Sequence, residues 1–438
     1  MPTEWVSEFQ PADLIWVCLN IVVISALYVP GMLAASTADP PGRNFVFRTA
    51  LAVGVLCVGW CLFGYTLAFS PSAGTVPNTS TTSESAMKDM QAMMEFEHAR
   101  PDLTRDMGKG GLIGNGDAVG MLGTGPSGDN EVVNYPVRLP YPHLPQSSVA
   151  ICHMSIMIAF ASLWLSNAAS RFGTSHLVIC SLLWQLIVYC PVAHWIWGNG
   201  WFSHSGGWDG GGALILLGAS LSCVAACSLT GRRFDAEESF GCTRRIVGMT
   251  CCVLGALFVN AAYSLSISPL ITIIWMNTLV SVASGALVSV FMKQRLTGTS
   301  DLESMILGMV SGMAAIASGA GVLSVQAAFI VGGVAGGLVP LTSILLHRNA
   351  SQMVVLFGVA AAVGMLLTGV FASSINGPVQ PGGRLVTGWI ESGNFELLLM
   401  QAKGIGATVL LSLVTAFLIS GLVLLTGGMK AVPECQPE

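Results

Sequence analysis

The sequence predicts an all-α, polytopic membrane protein with eleven transmembrane helices. Charged residues make up 9% of its 438 residues and the mean hydropathy is +0.70, whereas a soluble domain carries about 25% charged residues. A helix needs about 20 apolar residues to cross a bilayer, with a range of about 17 to 25. Stretches of this kind lie near residues 14–35, 49–69, 148–167, 176–193, 212–229, 246–265, 270–291, 304–320, 324–346, 353–373 and 397–426.

Basic residues predict an N-terminus outside the cell and a C-terminus in the cytoplasm, because Lys and Arg concentrate in cytoplasmic loops. In this orientation the outer segments, apart from one long loop, carry only Arg384 and Lys403. The inner segments carry Arg43, Arg48, Arg171, Arg232, Arg233, Arg244, Arg245, Lys293, Arg295, Arg348 and Lys430. We therefore expect a multi-pass protein of the plasma membrane.

One long polar insertion, residues 71–147, separates the second span from the third. Its composition predicts a largely flexible extracytoplasmic loop. Asn78 begins a sequon there and is a predicted glycosylation site. The predicted organisation is therefore the first two helices (1–70), this insertion, helices three to eleven of the same domain (148–430) and a short cytoplasmic tail (431–438).

The sequence has no pattern typical of an enzyme. It contains neither a phosphate-binding glycine loop nor a metal-ligand spacing of His and Cys, and no basic stretch suited to nucleic acid. Most of its twelve cysteines lie in apolar runs, where Cys acts as a small hydrophobic residue. We expect no catalytic residues, no metal and no cofactor.

A signature at residues 189–200 carries the functional information. It reads YCPVAHWIWGNG and is followed by a glycine-rich segment with one acid, Asp209. It resembles the signature of ammonium transporter/Rhesus (Amt/Rh) channels, Y-x-P-x-A-H-x-x-W-G-G-G followed by D-x-x-G-G. Weaker fragments at 64–69, 258–261 and 368–373 are similar to the family's second, sixth and tenth spans, in the same order.

The resemblance implies a fold, a substrate and an assembly. Two inverted five-helix halves would surround a pore, and the eleventh helix would brace them from outside. The substrate would be ammonium or ammonia, which crosses the lipid membrane through a pore in each subunit. The subunits would form a homotrimer, or a heterotrimer with paralogues.

The family's paired pore histidines are absent. The matching positions on the fifth and tenth spans hold Leu217 and Phe357. Because residues 205–346 contain no His, and none follows His347, both losses hold in any alignment register. The chain is therefore identified as a divergent member with an apolar pore midplane.

The phenylalanine gate of the family is altered as well. Its positions hold Ile156 and Val259, which are smaller than Phe. They would form a wider constriction, or they are ordinary helix-packing residues, and the sequence leaves both interpretations open.

Four residues occupy the positions of the family's outer recruitment site for the cation. Trp197 matches the tryptophan whose ring face attracts ammonium. Tyr263 stands at the hydroxyl position, Cys152 at the vestibular aromatic position, and Asp209 at the conserved acid. Trp and Tyr are also common membrane-interface anchors, and Asp is a common helix cap, so anchoring and capping remain alternatives.

His153 is new relative to the family pattern. A His inside a membrane span is a functional hypothesis by default, so we consider a proton relay. The alternative is a histidine that serves packing or lines the vestibule.

Three functions follow from these residues. The first is transport of ammonium or ammonia through an altered pore. The second is a non-conducting pseudo-transporter that acts as a sensor or regulatory subunit. The third is a channel for another small neutral solute.

Overall fold

The structure is a computed structural model. It describes residues 11–36, 43–73, 110–124, 127–128, 133–134, 137–138, 141–229, 242–345, 352–375 and 385–427. Asn78 and the tail 431–438 lie outside the described residues.

Eleven long helices account for most of the described chain. They are α1 (11–36), α2 (43–69), α3 (Gln146–Arg171), α4 (174–197), α5 (Ala213–Leu229), α6 (Cys242–Ala262), α7 (Leu270–Thr297), α8 (Leu302–Ile316), α9 (Val325–Leu345), α10 (Gln352–Phe371) and α11 (Glu396–Leu425). Each coincides with one predicted span, so the prediction of an eleven-helix, all-α membrane fold is confirmed.

The helices differ in how they would meet the lipid. Seven of them are long and apolar enough to cross a membrane, while α5, α8, α9 and α10 have shorter apolar stretches. In α5 and α8 most described side chains are buried, so protein surrounds these two helices. In α1, α2 and α11 only 33% to 39% of the most apolar window is buried, as expected for helices that face lipid.

The packing pattern repeats between the two halves. α1 packs against α6, and α5 packs against α10. In the first half, α2 packs against α4 and α3 packs against α5. In the second half, the corresponding helices α7 and α9 pack together, as do α8 and α10. α11 packs on α5, α10 and α4 as a brace. The contacts are those of two five-helix repeats with an eleventh helix outside them.

Small residues allow the helices to approach closely, as is usual in membrane bundles. A Cβ added to Gly31 of α1 would lie 2.7 Å from the backbone of both Gly248 and Cys252 on α6. On the other half, a Cβ on Gly364 of α10 would overlap the carbonyl oxygen of Ala315 on α8. Larger side chains at Gly31 and Gly364 would separate these helices.

Among the described residues, three helices contain a π-helical turn: Ile24–Tyr28 in α1, Trp60–Gly64 in α2 and Gln185–Tyr189 in α4. In α2 and α4 these turns place two aromatic side chains next to each other, with the Trp60 and Tyr189 ring centroids 5.8 Å apart. The Trp60 indole N–H also donates to the Ala150 carbonyl of α3, at 3.0 Å. The π turns therefore organise the contacts among α2, α3 and α4.

Part of the insertion is fixed to the bundle, where the sequence predicted a largely flexible loop. Among residues 110–124, the Gly114 N–H donates to the Leu67 carbonyl at 2.8 Å. The Leu112 carbonyl accepts from the Trp195 indole at 2.9 Å. Two short antiparallel strand pairs follow, Ser127–Gly128 with Val133–Asn134 and Val137–Arg138 with Tyr141–Pro145. Residues 110–124 are held by hydrogen bonds to α2 and α4. A search of the sequence for apolar periodicity does not reveal such bonds.

At the opposite end of the bundle, Arg48 joins α2 to the connection between α3 and α4. Its guanidinium donates to the Ala169 carbonyl at 2.6 Å, to the Phe172 carbonyl, and to the Thr174 hydroxyl at 3.1 Å. Arg48 is 4% exposed, so these carbonyls at the end of α3 have little access to water. The guanidinium therefore supplies hydrogen bonds to acceptors at the end of α3 and at the start of α4.

We expect Arg48→Met to lower the free energy of unfolding by about 2 to 4 kcal/mol, because buried carbonyls lose a charged donor. The measurement is the thermal unfolding midpoint of purified protein in detergent. Arg295→Met on α7, where the charge is exposed, is the control, with an expected change within about 0.5 kcal/mol. Equal midpoints for the two variants would contradict this role.

Candidate functional site

A glycine-rich segment between α4 and α5 forms the centre of the candidate site. The Asp209 carboxylate accepts hydrogen bonds from the backbone N–H groups of Ala213 and Leu214, both at 2.8 Å. Asp209 is 4% exposed, and an unpaired carboxylate at such a position would be costly. Its contacts are those of a cap on the N-terminus of α5.

Trp197, the last residue of α4, binds the same segment. Its indole N–H donates to the Gly210 carbonyl at 3.1 Å. Gly212 has a positive φ of 78°, and a Cβ there would lie 3.2 Å from the Trp197 ring and 2.8 Å from Phe160. A glycine is required at Gly212 both by its backbone conformation and by the close approach of these rings.

Tyr263, just after α6, approaches the segment from the other half. Its ring lies edge-on to Trp208, with centroids 5.8 Å apart, and a Cβ on Gly210 would lie 2.9 Å from it. Trp197 and Tyr263 therefore both lie next to Gly210. The structure brings these two predicted recruitment residues to one short stretch of backbone.

The residues after α8 complete the support of this segment. The Gly211 N–H donates to the Ala317 carbonyl at 2.8 Å, and the Gly210 N–H donates to the Ser318 carbonyl at 3.3 Å. The segment is thus bonded to both five-helix halves. It has little freedom to move without disturbing α4, α5 and α8.

Cys152, Ile156 and Val259 are all buried, at 0%, 1% and 5% exposure, within the contiguous apolar core. Cys152 and Ile156 are four residues apart on α3 and therefore lie one turn apart on the same face of the helix. Val259 lies on α6, next to Asn260, whose side-chain amide donates to Thr278 on α7 at 3.1 Å. All three sit among packed side chains.

Leu217 and Phe357 lie at the packing contact of α5 with α10 and are 4% and 1% exposed. A Cβ added to Gly358, the residue after Phe357, would lie 3.7 Å from Leu217 Cδ1 and 2.5 Å from Ser220 Oγ. The contact is therefore close and mainly apolar. It has no imidazole at either position.

His153 is completely buried in α3. Its ring centroid lies 4.3 Å from that of Phe69 at the end of α2 and 5.2 Å from that of Trp197. Neither ring nitrogen has a hydrogen-bond partner among the described residues. The structure therefore places His153 beside one of the predicted recruitment residues.

His194 belongs to the signature, but the sequence alone did not identify its role. Its Nδ1 lies 3.0 Å from the Ala68 carbonyl and its Nε2 lies 3.0 Å from the Ser72 hydroxyl. Because a carbonyl only accepts, Nδ1 carries a proton. The Ser72 hydroxyl in turn accepts from the Gly111 N–H at 2.9 Å. His194 thus joins α4, the end of α2 and the fixed part of the insertion.

Comparison with known proteins identifies the family and the fold. The family model described as "Ammonium Transporter Family" matches residues 108–436. A relative called ammonium transporter, from Aquifex aeolicus, is 26% identical over 339 residues, which is 75% of each chain. The crystal structure of Saccharomyces cerevisiae Mep2 is 20% identical, has a TM-score of 0.76 and covers 98% of this chain and 89% of that chain. A structure titled "Sensor Amt Protein" is 16% identical, with a TM-score of 0.72, covering 96% of this chain and 95% of that chain.

The family model covers well over half of the chain, and the fold of its solved relatives is present along nearly its whole length. The spans, their order and the signature with Asp209 agree with this assignment. The chain belongs to the ammonium transporter family.

Proposed function

We propose that this chain carries ammonia across the membrane through a pore within each subunit. The observation that carries the proposal is the fixed segment between α4 and α5. It brings Trp197 and Tyr263 together beside Gly210, with a capping carboxylate, Asp209, next to them. An aromatic face of this kind attracts a small cation. Ammonium would collect there before it enters the pore.

The apolar contact of α5 with α10 supports neutral ammonia as the species that passes. A desolvated cation in such a place carries a penalty of several kcal/mol. Leu217 and Phe357 offer no proton acceptor that would relieve it, whereas neutral ammonia loses only a few hydrogen bonds with water. We therefore propose transport without net charge.

The proposed gate is also apolar. Ile156 and Val259 are buried in the apolar core, and we propose that they form the constriction between the recruitment site and Leu217. Cys152 would line the space above them. Their small, apolar side chains give a passage that excludes water by its hydrophobic surface and not by stacked aromatic rings.

A second function is favoured by one observation, the replacement of both midplane histidines. A protein with a recruitment site and no conducting pore would act as a sensor or as a regulatory subunit among conducting paralogues. Such a protein would bind ammonium and show no flux of ammonia. A channel for another small neutral solute would neither bind ammonium nor conduct ammonia, and it would conduct that other solute.

The protein is an integral, multi-pass membrane protein. We further propose the plasma membrane, with the N-terminus outside, the C-terminus in the cytoplasm, and a trimer of subunits. The basic-residue distribution supports the orientation. We expect a trimer peak in native mass spectrometry, and a spectrum with only monomer or dimer would oppose the assembly.

Leu217→Ala is expected to raise ammonia entry into liposomes several-fold, because it removes bulk from the apolar constriction. The measurement is the initial rise in lumenal pH after an ammonium pulse. Leu216→Ala is the matched control. Leu216 is also 4% exposed, and truncation of a buried leucine costs about 2 to 5 kcal/mol of stability at either position. Equal rates for Leu216→Ala and Leu217→Ala would contradict a pore position for Leu217.

Expression in a glycosylating host tests the orientation. We expect Asn78→Gln to increase gel mobility, because Asn78 would lie on the outer side and carry a sugar. Asn349→Gln is the control, because Asn349 begins a sequon on the proposed inner side. A mobility change only in the Asn349 variant would indicate the opposite topology.

A further inference from the structure

We propose that His153 is a hydrogen-bonding site for the permeating solute, a small N–H donor such as ammonium or ammonia. This inference rests on the proposed function. It places on α3 a histidine contact with the solute, because the histidine positions of α5 and α10 hold Leu217 and Phe357. No proton transfer is required, since a neutral imidazole both accepts and donates one hydrogen bond.

The position of the His153 ring is unusual for a packing residue. It is completely buried, yet both Nδ1 and Nε2 are without a partner among the described residues. Buried polar side chains are paired in the large majority of cases, and each exception needs an explanation. An occupant that comes and goes is such an explanation.

The neighbouring side chains offer His153 no bond. The Trp197 indole N–H is directed at the Gly210 carbonyl. The Tyr189 hydroxyl lies 3.4 Å from the backbone carbonyl of His153 and not from its ring. Phe69 has no polar atom. The partner of the imidazole must therefore be small enough to enter among aromatic rings.

His194 shows what a structural histidine looks like in the same region of this protein. It lies on α4, three residues before Trp197, and both of its ring nitrogens lie 3.0 Å from oxygen partners, Ala68 O and Ser72 Oγ. Since His153 and His194 are both fully buried, burial alone does not explain the missing partners of His153. The difference points to a ligand.

The surroundings of the His153 ring suit ammonium. The Trp197 ring lies 5.2 Å from the imidazole, centroid to centroid, and its face attracts a cation. A ring nitrogen of His153 would accept one N–H of the solute and replace a water molecule lost on entry. A tetramethylammonium ion has the same charge but no N–H, so it would gain nothing from His153.

The test uses the full chain in detergent and in liposomes. Ammonium chloride is expected to raise the unfolding midpoint of the wild type more than tetramethylammonium chloride does, because only ammonium has an N–H group for His153. We expect His153→Leu to need about tenfold more ammonium for half of this effect, because a hydrogen bond to a charged donor is lost. Ammonia entry at low ammonium should fall by a similar factor. His153→Gln, which keeps a donor and an acceptor, should stay within about threefold.

Met157→Leu is the matched control, because Met157 lies one turn further along α3, is also completely buried, and the exchange conserves volume. Unchanged ammonium response and entry in His153→Leu would overturn the inference. So would a lower unfolding midpoint without ammonium in both His153→Leu and His153→Met, since that would make His153 a packing residue. If the wild type responds to ammonium neither by stabilisation nor by entry, the proposed function fails, and this inference fails with it.

Discussion

The structure depends on the way the segment between α4 and α5 is held. This segment must turn within the bundle, where a free carboxylate or carbonyl would be costly. Asp209 resolves the first problem by accepting two N–H groups of α5. The Trp197 indole resolves the second by donating to the Gly210 carbonyl. Two further bonds, to Ala317 and Ser318, join it to the opposite half. One short segment thus joins both repeats and places the candidate recruitment residues Trp197 and Tyr263 beside Gly210.

The eleven helices could be predicted from hydropathy because each span must hide its backbone from lipid in an unbroken apolar helix. The signature at residues 189–200 then fixed the register of the candidate site. Other features have no such signal. The π turns occur in α2 and α4 within ordinary apolar sequence, and the bonds that fix residues 110–124 come from distant side chains such as Trp195.

The histidines show the same limit at the level of single residues. His153 and His194 are both histidines in apolar spans, and the sequence does not show which of them has hydrogen-bond partners. The structure does, because the partners of His194 are Ala68 and Ser72, more than one hundred residues away in the chain. Which buried nitrogen is satisfied depends on tertiary contacts that no local pattern encodes.

The structure combines an aromatic, hydrogen-bonded segment between α4 and α5 with an apolar contact between α5 and α10. We propose that the protein moves ammonia without net charge. The most direct measurement records membrane current and lumenal pH together on one batch of liposomes given an ammonium pulse. We expect the lumenal pH to rise with no saturable current above that of protein-free liposomes. A saturable inward current that Trp197→Ala abolishes would contradict the claim.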